Sequence, residues 1–438
     1  MVSSSPTSGW FRAGVREVFV RDESARFPGL DGLRALAILL VIGFHGFFFT
    51  QYAFEERQQF PEFVEQVPRL LTWVWQGDKG VDVFFVLSGF LMGWMLCGEH
   101  ARTNQLSWRR FYLRRWGRIY PAYVLALLLY LPSGHNIEYF WANLIPVNNL
   151  ISLEKIYIPW SWSLTIELQF YLLCPLLVWA MVRSRWGGLA VLGLVVLAVA
   201  YRGHTLLEHP EIYQRSVLDL YLTEDREGVL SYMGGLYTNF IARCPPLLCG
   251  LLLGYVASTH WETLQRWLKR PGVSEGLGLV ALGTLAFIFS FETYVPSEGN
   301  PGWSDAAHFR YILLGRPLTG LAIAVLVTLL IASVRLRGLH RLLGHKAWFP
   351  VAQVSYSMYL FHPPFLFLSF VLLHGNRPVA SLHLGDVFAV IGLGTALCFA
   401  FGCLTFVLLE RPCQHWVRRR TSATQSTSTT NTPSPRSR

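Results

Sequence analysis

Ten apolar runs of roughly membrane-spanning length dominate this chain of 438 residues. A helix needs about 20 apolar residues to cross the roughly 30 Å hydrocarbon core of a bilayer. The chain is 52% hydrophobic and only 15% charged, whereas soluble domains carry about 25% charged residues. We therefore expect an all-α, polytopic membrane bundle of about ten transmembrane helices. The third and fifth runs are the short ones, and the count is weakest there. The predicted spans are Leu33–Phe49, Val81–Cys97, Ile119–Leu131, Leu164–Val182, Gly187–Tyr201, Phe240–Val256, Gly276–Phe291, Tyr311–Val334, Val354–Leu373 and Val387–Leu409.

The net charge of +10 is first a signal of orientation, because the cytoplasmic loops of membrane proteins carry an excess of Lys and Arg. With the N-terminus inside, most Lys and Arg fall on one side of the predicted spans, and clusters of Glu and Asp fall on the other. We expect both termini to face the cytoplasm, in a bacterial cytoplasmic membrane. The arginines lie in separate short loops, so they form no continuous surface for a nucleic acid.

The chain divides into three predicted parts. Residues 1–30 form a cytoplasmic N-terminal segment, residues 31–416 a transmembrane domain, and residues 417–438 a Ser/Thr/Pro-rich tail that we expect to be disordered. The longest outer loop, residues 202–239, has room for short helices but not for a core of its own. The seven cysteines form no C-x-x-C pair, and we expect neither a metal site nor a tightly bound cofactor.

His45 lies about a dozen residues into the first apolar run, which puts it near the middle of the bilayer. An ionisable side chain at that depth costs a few kcal/mol, so it is retained mainly where it has a function. Arg34 precedes it by eleven positions, close to the inner face. The pair raises the question of what reaction uses an imidazole inside a membrane with arginines below it.

Arg115 and Arg118 lie in the inner-face sequence FYLRRWGRIYP. Their i, i+3 spacing places them on one face of a helix. Two guanidinium groups near Arg34 suit a phosphate-bearing ligand, because each can bind phosphate oxygens in a bidentate manner. Ordinary positive-inside loop charge, in contact with lipid headgroups, explains the same pattern equally well.

Four further polar or aromatic residues allow both structural and functional interpretations. His362 is at mid-depth, where it could act in catalysis or satisfy carbonyls that the two following prolines free from the helix. Asp82 and Glu167 are each expected within the first turn of a span near the outer face. There a carboxylate could complement the helix N-terminus or bind the hydroxyls of a sugar-like acceptor. Trp162 could contact that acceptor or serve as an interfacial anchor.

The order of these residues across the bilayer suggests how two substrates could approach each other. An anionic donor would bind at the inner arginines, and an acceptor would approach the outer carboxylates. A neutral imidazole between them could take the proton of an acceptor hydroxyl as that oxygen attacks a carbonyl. The sequence contains no Walker A loop, HExxH motif or G-x-S-x-G elbow, so ATP, zinc-hydrolase and serine-hydrolase chemistry are unsupported.

At these residues the sequence resembles the acyltransferase-3 family of integral membrane acyltransferases. Several blocks occur once each and in order, over both ends and most of the first half of the chain. The blocks are LDGLRALAILLVIGFH at 30–45, GVDVFFVLSGFLM at 80–92, FYLRRWGRIYPAY at 111–123, WSLTIELQFYLLCPLL at 162–177, VSYSMYLFHPPFL at 354–366 and LLERPCQHW at 408–416.

The resemblance implies transfer of an acyl group, usually acetyl, from cytoplasmic acyl-CoA to a hydroxyl of a carbohydrate or glycoconjugate. It implies that Arg34, Arg115 and Arg118 bind the donor, that His45 is the general base and that Glu167 is a catalytic acid residue. The family usually has two adjacent acidic residues in this block, whereas here Leu168 follows Glu167 and only one acidic residue is present.

The chain has few residues after its last predicted span, so we expect direct acylation of the acceptor or transfer to a separate envelope-biosynthesis partner. A homo-oligomer is compatible with this. A transporter or flippase for a lipid-linked sugar is the alternative, although no internal repeat is evident. The identity of the acceptor and the length of the acyl chain stay open.

Overall fold

The computed structural model describes residues 6–22, 26–56, 58–222, 225–291 and 303–429, and these parts of the chain are built from helices. Their bounds are α1 Pro6–Phe19, α2 Gly29–Phe48, α3 Gln59–Gln66, α4 Gly80–Thr103, α5 Trp108–Tyr130, α6 Phe140–Leu144, α7 Trp162–Arg183, α8 Gly187–Glu208, α9 Glu211–Gln214, α10 Val217–Leu222, α11 Arg226–Tyr232, α12 Phe240–Arg243, α13 Pro245–Thr259, α14 Trp261–Leu268, α15 Val273–Ser290, α16 Asp305–Ala332, α17 Arg337–Leu343, α18 Trp348–His374, α19 Leu384–Thr405 and α20 Arg411–Thr429. A 3-10 segment, Arg69–Lys79, leads directly into α4.

Eight helical segments in the described parts of the chain are long and apolar enough to cross a membrane. The all-α polytopic bundle predicted from the sequence is therefore confirmed, and the chain is an integral membrane protein. The orientation of its termini stays a prediction. The eight segments are Gly29–Tyr52, Arg69–Thr103, Pro159–Arg183, Gly187–Glu208, Val273–Ser290, Asp305–Ala332, Trp348–His374 and Leu384–Thr421.

The two remaining predicted spans correspond to helices of a different kind. The third lies in the second half of α5, whose first half carries the arginines of the inner-face sequence. The sixth, Phe240–Val256, is wrong as one continuous span, because the helix breaks at Cys244 before two prolines and resumes as the 15-residue α13. The fifth, expected to be short, is the 22-residue α8 and is long enough to span.

The segments at the margins also differ in part from expectation. Helix α20 runs to Thr429, so residues 417–429 of the predicted disordered tail are helical, and residues 430–438 lie outside the described residues. The outer segment 202–239 forms the predicted short helices, α9 to α11, together with a π-helical turn at Met233–Tyr237.

The centre of the bundle is α2, which packs against α18, α4 and the 3-10 segment. Among the described residues, helices α4 and α13 form the most extensive helix–helix contact, and small residues make it possible. A Cβ atom added at Gly89 would overlap the carbonyl oxygen of Leu247, and one added at Gly250 would overlap that of Val86. Backbones approach this closely in membranes only where side chains are small. The resulting frame brings α2, α4, α12, α16 and α18 together around two cavities.

Candidate active site

His45 and His362 form a hydrogen-bonded pair between α2 and α18. His362 Nε2 lies 3.1 Å from His45 Nδ1, His45 Nδ1 lies 2.9 Å from the carbonyl oxygen of Val41, and His362 Nδ1 lies 2.8 Å from that of Tyr359. A carbonyl oxygen accepts only, so both Nδ1 atoms carry protons and His362 Nε2 accepts. This assignment leaves Nε2 of His45 without a proton, which is the form that a general base requires.

His45 lines a cavity of about 500 Å³, which we call the His45 cavity. Aromatic rings form much of its wall, and charged side chains lie along one side of it. Trp160 and Tyr359 come from the regions around α7 and α18, and Tyr232 and Tyr237 come from the segment before α12. The segment 202–239 therefore covers this cavity rather than forming a separate lobe.

A buried network of ion pairs borders the His45 cavity. Asp82 is fully buried, with one carboxylate oxygen 2.5 Å from Arg316 Nη1 and the other 3.2 Å from Arg243 Nη2. Arg316 also pairs with Asp78, and Asp78 Oδ1 lies 3.1 Å from Lys79 Nζ. Each charge in the network has at least one partner of opposite sign, which offsets the large cost of removing these groups from water.

A second, smaller cavity of about 100 Å³ contains the predicted donor-binding residues Arg34, Arg115 and Arg118, and we call it the arginine cavity. Glu167 lines it as well and accepts hydrogen bonds from Ser88 Oγ and Tyr171 OH. The Arg115 guanidinium lies 5.7 Å from the ring centroid of Tyr171, and its buried Nε has no hydrogen-bond partner among the described residues.

Val81 and Tyr359 line both cavities, so the two cavities are neighbours. Helix α2 contributes to both cavities, because Arg34 lines the arginine cavity and His45 lines the His45 cavity. Arg34 and His45 are eleven residues apart, close to three full turns, so they share one face at a separation of about 16 Å along the axis. The imidazole thus lines a cavity that shares wall residues with the arginine cavity.

Several predicted residues occupy places that the sequence did not indicate. Glu167 is in the second turn of α7 and lines the arginine cavity, whereas Trp162 lines the His45 cavity, so the two residues that the sequence grouped together face different cavities. Asp82 is in the first turn of α4 as expected, and its carboxylate faces Arg316 and Arg243, although Oδ1 has no hydrogen-bond partner among the described residues. Trp162 lines the His45 cavity, where its ring lies 5.0 Å from the Arg243 guanidinium.

Arg243, Arg316 and Arg202 were not among the predicted site residues, although their sequence positions carried a signal. Arg243 and Arg316 lie inside two of the predicted apolar spans, and Arg202 is the residue directly after a third. The argument that singled out His45, the cost of an ionisable group at membrane depth, applies to them equally. Lys79 and Asp78 precede the second predicted span and carried no comparable signal.

The fold and the two cavities define a class of protein: a polytopic helical bundle with a buried histidine pair and an adjoining arginine-rich cavity. A family model described as an acyltransferase domain matches residues 27–407. The chain belongs to this family, the acyltransferase-3 family of integral membrane acyltransferases, as its ordered sequence blocks suggested.

Relatives from distant organisms are similar over most of this chain. The O-acetyltransferase OatA of Staphylococcus aureus is 24% identical over 384 residues, which cover 80% of this chain and 53% of the relative. The peptidoglycan O-acetyltransferase OatA of Listeria monocytogenes is 24% identical over 424 residues, 88% of this chain and 55% of the relative. The nose resistant to fluoxetine protein 6 of Caenorhabditis elegans is 25% identical over 380 residues, 76% and 44% of the two chains.

The chain thus spans about half the length of the curated relatives that it matches. No solved structure matches it.

Proposed function

We propose that this protein transfers an acyl group, acetyl in the first instance, from cytoplasmic acyl-CoA to a hydroxyl of a carbohydrate acceptor. The observation that carries the proposal is His45, whose Nδ1 contacts Val41 and His362, in a cavity that shares wall residues with the arginine cavity. Two bacterial relatives bear the name O-acetyltransferase, and one of these names refers to peptidoglycan. We take these names as support for an envelope carbohydrate as the acceptor.

In this proposal the donor occupies the arginine cavity. The phosphates of CoA pair with Arg34, Arg115 and Arg118, since three guanidinium groups with few competing carboxylates favour a polyanion. The pantetheine arm, a flexible linear chain, then extends past Val81 and Tyr359 and carries the thioester towards His45. Glu167 keeps Tyr171 in place beside Arg115 through its hydrogen bond, which makes it a positioning residue of the donor site.

The acceptor occupies the His45 cavity. Its hydroxyl oxygen attacks the thioester carbonyl carbon while Nε2 of His45 takes the hydroxyl proton. The carbon–sulfur bond then breaks, and the CoA thiolate leaves with the proton returned by the imidazolium, so that the products are an ester and free CoA. His362 holds the tautomer of His45 through its hydrogen bond to Nδ1 and is a positioning residue.

The test uses membranes that contain the wild-type protein or His45→Ala, acetyl-CoA labelled in the acetyl group, and envelope glycans from a strain that lacks the gene. We expect label in a glycan ester with the wild type and a loss of about 100-fold or more with the variant, as for removal of a general base. His204→Ala, which changes an exposed histidine on α8, is the matched control.

Wild-type rates with His45→Ala would refute the role of His45 as the general base. A wild type that moves a lipid-linked sugar without forming any labelled ester would instead support the transporter.

A further inference from the structure

Four cationic side chains line the His45 cavity within the described parts of the chain, and three of them have hydrogen-bond partners. Arg202 donates to the carbonyl oxygens of Leu313 at 3.0 Å and Ala242 at 3.1 Å, and also to that of Ile312. Arg316 donates to Asp78 and Asp82, and Lys79 donates to Gln76 and pairs with Asp78. The N–H groups of these three cations therefore already donate hydrogen bonds within the protein.

Arg243 differs from them. It is 1% exposed, and none of its three nitrogens has a hydrogen-bond partner among the described residues, although Nη2 lies 3.2 Å from Asp82 Oδ1. The rings of Phe85, Trp162 and Tyr237 surround it, with centroids 5.8, 5.0 and 5.3 Å from Cζ. Such rings stabilise a buried charge, but they do not replace the acceptor oxygens that its N–H groups lose on burial.

The charges around the cavity do not balance either. Four cations, Lys79, Arg202, Arg243 and Arg316, stand against two carboxylates, Asp78 and Asp82, which leaves two positive charges. Glu154 also lines the cavity, but the exposed Arg226 holds it at 2.6 Å and cancels its charge. A surplus of buried positive charge beside a guanidinium with unused donors favours the binding of an anion.

We propose that Arg243 binds an anionic group, a carboxylate or a phosphate, on the acceptor. The substrate would then be an acidic carbohydrate, with the acid held at Arg243 and a hydroxyl presented to Nε2 of His45. A guanidinium suits this role because its fork can donate two parallel hydrogen bonds to either kind of oxyanion. This inference rests on the proposed function, since it names the class of acceptor that the same cavity takes.

The first test identifies the acceptor without any variant. Acylated envelope material and small molecules are compared by mass spectrometry between a deletion strain and the same strain with the gene restored. We expect the esters that return on restoration to contain a sugar carboxylate or a sugar phosphate, and their composition distinguishes the two. Esters found only on neutral sugars would overturn the inference and leave the proposed function intact. If no ester depends on the gene, the proposed function itself fails.

The second test assigns the site to Arg243, with the acidic acceptor found by the first test. Arg243→Gln should raise the KM for this acceptor by about 10- to 100-fold, as expected for the loss of hydrogen bonds to a charged group. The KM for acetyl-CoA should not change. Arg243→Lys, which keeps the charge but not the fork, should fall between the wild type and Arg243→Gln.

Arg335→Gln is the control variant, because this partly exposed arginine pairs with Glu275 and lines neither of the two cavities. An acceptor KM for Arg243→Lys equal to that of the wild type, or an Arg243→Gln variant that accumulates normally with an unchanged acceptor KM, would remove Arg243 from the site. If Arg243→Gln does not accumulate, the acceptor KM of Arg243→Lys alone tests whether Arg243 belongs to the acceptor site.

Discussion

Both cavities contain buried or partly buried arginines, but the partners of these arginines differ between the two cavities. In the His45 cavity the network of Asp78, Asp82 and Arg316 pairs positive with negative charge inside the protein. In the arginine cavity the one carboxylate, Glu167, is bonded to hydroxyl groups instead, and the buried Nε of Arg115 has no hydrogen-bond partner among the described residues.

The comparison separates charge that supports the structure from charge that is available to a ligand. Paired groups are expensive to remove singly, because the remaining partner is left buried and uncompensated. Unpaired cations contribute little to folding, so their removal should affect binding first. Arg243 is the exception in the His45 cavity, since it borders the ion pairs and still has free donors.

The largest effect is expected where the comparison predicts a structural role. Asp82→Asn removes the charge that faces both Arg243 and Arg316 and should cost about 3–5 kcal/mol of stability. Thermal unfolding of the detergent-solubilised protein measures it as a clear drop in Tm. Glu275→Gln, which breaks the more exposed pair with Arg335, should leave Tm unchanged. Equal Tm values for Asp82→Asn and the wild type would remove the distinction between the two cavities.

The next largest effect is expected in the arginine cavity, and it should be one of binding. Arg115→Gln combined with Arg118→Gln should raise the KM for acetyl-CoA by about 10- to 100-fold, because two charged hydrogen-bonding groups are lost. Initial rates over a range of acetyl-CoA concentrations measure it, with Tm recorded in parallel. A Tm that falls as far as that of Asp82→Asn would contradict the assignment of these arginines to a ligand.

A smaller effect is expected from the histidine pair, because His362 acts through His45. His362→Ala should lower kcat by about 10-fold with little change in either KM, since the tautomer of His45 is then set by Val41 alone. His362→Gln has a side-chain oxygen that can accept the same hydrogen bond and should recover part of the rate. A kcat that His362→Ala does not alter would restrict this histidine to a packing role.

The smallest effect is expected at the rim of the His45 cavity, where Arg226 hydrogen-bonds Glu154 and thereby lowers the pKa of that carboxyl. A lowered pKa means that the pair persists at neutral pH and is lost only as the pH falls through that lowered pKa. Both groups are exposed, so Arg226→Gln should have almost the wild-type Tm at pH 7. A large Tm difference at pH 7 would mean that the rim belongs to the structural network.

The helical bundle and several candidate site residues could be predicted from the sequence for a physical reason. Apolar runs report helices because the bilayer leaves the backbone no other way to satisfy its hydrogen bonds over such a length. His45, Arg34 and the Arg115–Arg118 pair were found from depth and local spacing, and the structure does bring the three arginines to one cavity.

The pairings between distant residues could not be predicted in this way. His45 and His362 are 317 positions apart, and Arg316 and Asp82 are 234 apart. No local periodicity joins such residues, because their contact depends on how α2, α4, α16 and α18 pack. Glu167 shows the same limit, since its sequence position near Trp162 did not indicate that it lines a cavity with the three arginines.

The glycine-lined contact between α4 and α13 has a consequence for motion. Because no side chain separates the two backbones at Gly89 and Gly250, sliding one helix along the other would force carbonyl oxygens into neighbouring backbone atoms. We therefore expect Asp82 on α4 and Arg243 just before α13 to move together as parts of one rigid unit. Any opening of the His45 cavity would therefore have to come from elements other than α4 and α13.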